Sequence, residues 1–120
     1  MAETFLDTAN VHREKQCETW LGERLVSRNN RDQMVIATKY TGYQDHHKGQ
    51  IQDDFGGNGT KSTHVSLVAS LRKLQTIYWT IHWWDDTVSV PELVHALNDL
   101  VTSREVLYLE VSDTPALMIA

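Results

Sequence analysis

Four short apolar runs in this chain each hand over to a polar or ionisable residue. "FLD" ends on Asp7, "MVIAT" (34–38) runs into Lys39, "IYWTIHWW" (77–84) carries His82, and "VLYLEV" (106–111) leads to Ser112 and Asp113. A carboxylate, an ammonium, an imidazole and a hydroxyl–carboxylate pair could do acid–base chemistry on a small polar molecule if they met. Asp7 alone reads as a turn former, because an Asp side chain can bond the backbone two residues on. Lys39 says more. Directly after "VIAT" its stem is half-buried, and a buried ammonium needs a partner. Asp7 is the candidate partner, and a purely structural ion pair is the plainer reading of the same two residues.

The elements that must position these groups follow from periodicity. Residues 3–7 read as a strand, and residues 14–28 as a helix with Cys17, Trp20, Leu21 and Leu25 on one stripe. "NNRD" (29–32) is a turn, and "MVIAT" is a strand covered on both faces. Residues 40–62 are polar and glycine-rich without periodicity, a loop of the length that usually serves a function. Residues 63–74 form a helix with Leu67, Leu71 and Leu74 on one side, capped by Ser62. Residues 77–84 are a third strand, rich in aromatic and β-branched residues. "SVPE" (89–92) is a capping box opening a helix that buries Leu93, Leu97, Leu100 and Val101. Residues 106–111 are the fourth strand, and "DTPAL" starts another helix with Thr114 as cap and Pro115 in its first turn. Alternation of this kind predicts a parallel α/β sheet in one domain, 1–120. In such a sheet function collects where strands end at their carboxyl edge, which would gather Asp7, Lys39, His82, Ser112 and Asp113.

Composition narrows the partners. The 120 residues carry a net charge of −5, which argues against a nucleic-acid binder with a basic face. Apolar residues make up 41%, enough for one core, and four Trp with four Tyr favour packed layers over disorder. "MAETFLDT" resembles neither a signal peptide nor a membrane span, so a cytoplasmic protein is expected. Cys17 is the only cysteine, which excludes an internal disulfide and a thiolate zinc cage. The His46–His47 pair lacks the spacing of a metal motif, and no metal is expected.

Several blocks in order, "FLDTAN", "ETWLGERL", "RDQMVIATKY", "SLRKLQT", "HWWD" and "VLYLEVSDTPA", resemble the aldo-keto reductases, and among them the fungal aryl-alcohol dehydrogenases and norsolorinic-acid reductases. The resemblance implies a partial (β/α)8 barrel of about four parallel strands alternating with helices. It also implies NADP(H) and reduction of an aldehyde or ketone. The family's tetrad is Asp, Tyr, Lys and His. Carried over, the Asp is Asp7, the Lys is Lys39 and the His is His82. Ser112 and Asp113 match the contact with the nicotinamide carboxamide.

The chain departs from the pattern in four respects. His12 stands where the family has its Tyr; an imidazolium can donate a proton, although neighbouring Lys39 disfavours that charge. The approach to "HWW" is about three residues short, and an odd slip would turn His82 to the other face. Glu110 replaces a glycine and is expected to crowd its neighbours. The blocks match only the second to fifth barrel strands, without the parts that grip pyrophosphate and 2′-phosphate. These departures predict poor or no turnover. The alternative to a reductase is an inactive remnant or a partner-binding fragment. Open strand edges and an inner face with Val35, Ala37 and parts of "IYWTI" predict self-association.

Overall fold

A computed structural model describes residues 4–12, 16–41, 56–74, 78–82 and 84–119. The elements are β1 (Phe5–Asp7), α1 (Gln16–Arg28), a short 3-10 turn (Arg31–Gln33), β2 (Val35–Tyr40), α2 (Thr60–Leu74), β3 (Tyr78–Ile81), α3 (Val90–Thr102), β4 (Tyr108–Val111) and α4 (Ala116–Ile119). The strands form one parallel sheet in the order β1-β2-β3-β4. Most of the expected loop, including Tyr43, His46 and His47, lies outside the described residues. β2 runs on through Tyr40, and α2 opens at Thr60, two residues before the expected cap. Ser62 is therefore buried inside the first turn instead of capping it.

Register assigns the two faces. Ile36 lies opposite Leu6, Thr38 opposite Trp79, and Tyr40 opposite Ile81 in register, and Ile36, Thr38, Tyr40 and Ile81 point at the helices. Ile36 packs with Leu25 of α1 and Leu74 of α2. Tyr40 and Ile81 join Leu67, Leu93, Leu97, Leu100 and Val106 in a second cluster. Val35, Ala37 and Lys39 occupy the other face. Ala37 is fully buried there, so it adds nothing to exposed apolar surface, whereas Phe5 and Tyr108 are exposed. β4 lies bare, with Tyr108, Leu109 and Val111 all exposed, because the four-residue α4 covers little of it.

The helices form for local reasons, with corrections. Ser89 caps α3 by accepting from the Glu92 amide, and Pro91 sits in the first turn where no N–H is needed. Val101 is only half-buried in that helix. Thr114 caps nothing: its hydroxyl donates to the Ser112 carbonyl. In α1 the stripe is offset from the expected one, and Trp20 is exposed while Glu18 is fully buried.

Glu18 is buried because it is fully engaged. One carboxylate oxygen accepts from the Thr38 and Ser70 hydroxyls, both at 2.7 Å, and the other meets the Lys73 ammonium at 2.9 Å. The cluster ties α1, α2 and β2 together. Gly22 permits the approach, since a Cβ there would overlap the Lys73 carbonyl. Glu18→Ala would leave two buried hydroxyls without an acceptor, each costing roughly 1–3 kcal/mol. We expect a loss on the order of 3 kcal/mol in urea unfolding; a loss below about 1 kcal/mol would show the cluster to be dispensable.

Candidate active site

The site assembles from strand ends. Asp7 closes β1, and the chain beyond it stays alongside β2, with the Thr8 amide bonded to the Ala37 carbonyl at 3.0 Å and the Asn10 amide to the Lys39 carbonyl at 2.9 Å. Asp7 therefore faces Lys39, and its carboxylate accepts a hydrogen bond from the Lys39 ammonium. The Lys39 side chain is 13% exposed and that of Asp7 53%. The pair thus sits at a water-facing edge, with its cation the more enclosed partner. A turn over Ala9–His12, closed by the His12 amide on the Ala9 carbonyl, then brings His12 back over the edge.

Thr80 of β3 lies opposite Lys39, and alternation gives His82 the same face. The shortened approach to "HWW" therefore does not turn His82 away. Its ring meets that of His12 edge-on, with centroids 6.2 Å apart and planes at 79°. Its backbone N–H is shared between the Tyr40 carbonyl at 3.0 Å and the Thr41 hydroxyl at 3.2 Å. Burial pushes the His82 imidazole below its ordinary value, and the charges of Lys39 and His12 push it further, partly opposed by Asp113 and Asp7.

Beyond β4, the Ser112 amide bonds the Ile81 carbonyl at 2.8 Å, and the Asp113 carbonyl accepts from the Trp84 amide. Asp113 has φ 41° and Thr41 φ 103°, two left-handed positions held by non-glycine residues within two residues of a strand end. Glu110 finds a partner instead of crowding: its carboxylate accepts from the Thr80 hydroxyl at 3.0 Å. Tyr40 does not stand at this edge. Its ring is buried toward the helices, its hydroxyl bonds Thr63, and burial pushes it up to about 12. Among the described residues no group of three or more His, Cys, Asp or Glu side chains could hold a metal ion.

The structure thus brings Asp7, Lys39, His12 and His82 to one edge, with Ser112 and Asp113 at the next strand end. Sequence reasoning missed Thr41, Asn58 and Asp85. Asn58 is fully buried, its side-chain Oδ1 accepts from the Thr41 hydroxyl at 2.6 Å, and its backbone N–H donates to Asp85 at 2.7 Å. The signal available was slight: an Asn between glycines, and an Asp just past "HWW".

Consecutive βα units forming a parallel sheet, with ionisable groups at its carboxyl edge, define a segment of a (β/α)8 barrel. The chain belongs to the aldo/keto reductase family, whose model matches residues 2–119. It is 56% identical over 120 residues to norsolorinic acid reductase B of Dothistroma septosporum, covering 97% of this chain and 31% of that protein. It is 44% identical over 115 residues to an aryl-alcohol dehydrogenase of Pestalotiopsis microspora, covering 93% of this chain and 30% of that one. The fold matches the crystal structure of an aldo-keto reductase from Klebsiella pneumoniae in complex with NADPH, with a TM-score of 0.75 at 24% identity, over 97% of this chain and 36% of that one. The chain spans about a third of the length of the curated relatives it matches. No helix among the described residues is long and apolar enough to cross a membrane.

The depressed His82 has a thermodynamic consequence. Between its native midpoint and 6.5 the unfolded chain binds a proton that the native chain does not. Stability should therefore fall as pH drops through that window, and level off below the native midpoint. NMR titration should place the His82 midpoint below 6.5, and His82→Asn should lessen the loss of urea stability between neutral and mildly acidic pH. A midpoint at or above the ordinary value would contradict the site's electrostatics.

Proposed function

We propose that this chain carries the catalytic edge of an NADP(H)-dependent carbonyl reductase of the aryl-alcohol dehydrogenase type. The observation that carries the reading is the Asp7–Lys39 ion pair with the His82 and His12 rings on the same edge. In this reading Asp7 holds the Lys39 ammonium, whose charge favours anionic character on an oxygen arriving beside it. His82, kept neutral by burial and by Lys39, orients the carbonyl by hydrogen bonding. The exposed His12 is the residue placed to deliver a proton to the carbonyl oxygen.

The residues at the β4 end suit a nicotinamide. A primary carboxamide offers two N–H donors and one acceptor, and Asp113 and Ser112 supply a carboxylate acceptor and a hydroxyl side by side. When bound, the cofactor supplies the hydride. The grip on pyrophosphate and 2′-phosphate that the family uses has no counterpart in the motifs of this chain, so affinity for the whole cofactor should be weak. The exposed apolar side chains of Phe5, Tyr108, Leu109 and Val111 support self-association of the chain, and a soluble, cytoplasmic setting fits this reading.

The purified chain should bind NADPH with a dissociation constant weaker than about 0.1 mM by fluorescence titration. Nicotinamide mononucleotide at millimolar concentration should move the NMR amide signals of Ser112, Asp113 and His82 while leaving α1 unmoved. No response at these residues would sink the reading and favour an inactive remnant. NADPH oxidation with aromatic aldehydes should be undetectable in the chain alone and not restored by His12→Tyr. Steady turnover abolished by Lys39→Met would show that the chain is a working reductase by itself.

A further inference from the structure

Thr41 follows β2 with φ 103°, a conformation that costs a non-glycine residue roughly 1–3 kcal/mol and persists only where surroundings enforce it. Two hydrogen bonds do so here. The Thr41 hydroxyl has a single proton, which it donates to Asn58 Oδ1 at 2.6 Å. Its lone pairs are thereby turned toward the His82 amide, which donates to Oγ1 at 3.2 Å. Asn58 cannot drift, because it is fully buried and its backbone N–H donates to Asp85 Oδ2 at 2.7 Å. Asp85 is fixed in turn: its other oxygen accepts from the Thr87 amide at 3.0 Å and the Thr87 hydroxyl at 2.6 Å. Burial would raise the Asp85 carboxyl, yet these bonds and the one from Asn58 hold it below the usual range, so it stays ionised. Gly57, at φ 70°, leaves the space the carboxylate fills, where a Cβ would overlap it.

We propose that Asp85, Asn58 and Thr41 form a positioning relay that fixes the backbone of His82 and so the seat of its imidazole beside His12. The relay links the residues just ahead of α2 to the β3 end, two segments that register alone does not join. None of the three touches His12 or Lys39 in any hydrogen bond described above, so their effect on the site passes through His82. The value of the relay to catalysis rests on the reading given under Proposed function, but its existence does not.

The test reads His82 directly, in the full chain without cofactor. Thr41→Val keeps the shape and removes the hydroxyl; Thr41→Ser restores it. Thr41→Val should speed hydrogen exchange of the His82 amide about tenfold or more, raise the midpoint of its imidazole toward the ordinary value, and weaken the cross-relaxation between the His12 and His82 rings. Thr41→Ser should behave as the unsubstituted chain. Asp85→Ala, remote from the imidazole, should reproduce the Thr41→Val changes in smaller measure, and it supplies the same readouts if Thr41→Val does not fold. Equal exchange and midpoints in Thr41→Val, Asp85→Ala and the unsubstituted chain would overturn the proposal, as would a Thr41→Ser chain no better than Thr41→Val. If the relay signals appear and nicotinamide mononucleotide still leaves Ser112 unmoved, the relay stands and the functional reading falls.

Discussion

The alternation of side chains along β2 is the constraint on which the remaining architecture hangs. Its first three residues pair with β1 and its last four with β3, so the strand is held from both sides. Ile36, Thr38 and Tyr40 can therefore only turn to the helices, and Val35, Ala37 and Lys39 only away from them. Each helix-facing residue makes a different attachment. Ile36 packs with Leu25 and Leu74, Thr38 bonds the buried Glu18, and Tyr40 bonds Thr63 within the larger cluster. A slip of one residue would bury the Lys39 ammonium among the helices and expose Ile36 and Tyr40. The same register that builds the core thus delivers Lys39 to Asp7.

The site that results is rich in positive or potentially positive groups. Lys39, His12 and His82 lie together against the carboxylates of Asp7 and Asp113. Burial, with the charges of Lys39 and His12 beside it, holds the half-buried His82 imidazole below its ordinary value. Such a site favours an electron-rich oxygen over a cation. The Asp7–Lys39 pair itself adds little to stability, because Asp7 is half in water and exposed pairs contribute at most about 1 kcal/mol. Its consequence is local charge and position.

Glu110 and His12, two residues expected to depart from the family pattern, are accommodated by different means. Glu110 turns to the Thr80 hydroxyl, where it adds a carboxylate to the row that holds Lys39. His12 meets the His82 ring because the turn at Ala9–His12 folds it back over the strand ends. The left-handed residues Thr41 and Asp113 stand beyond two of the strands that supply the site, where local strain is tolerated because neighbouring bonds hold the chain.

The sequence by itself determined the order of elements, the parallel sheet, and the strand-end residues Asp7, Lys39, His82, Ser112 and Asp113. Each of these follows from local pattern: an apolar run of strand length, a polar stop, and a helix period between. Only the tertiary structure decided which way His82 points, because that depends on Thr80 lying opposite Lys39 and not on any count of residues before "HWW". It likewise decided that Glu18 is buried and Trp20 exposed, since a carboxylate enters a core only where distant groups, here Thr38, Ser70 and Lys73, arrive to satisfy it. The relay through Thr41, Asn58 and Asp85 has the same origin. Its members are far apart in sequence, and their pairing energy exists only after two loops have met.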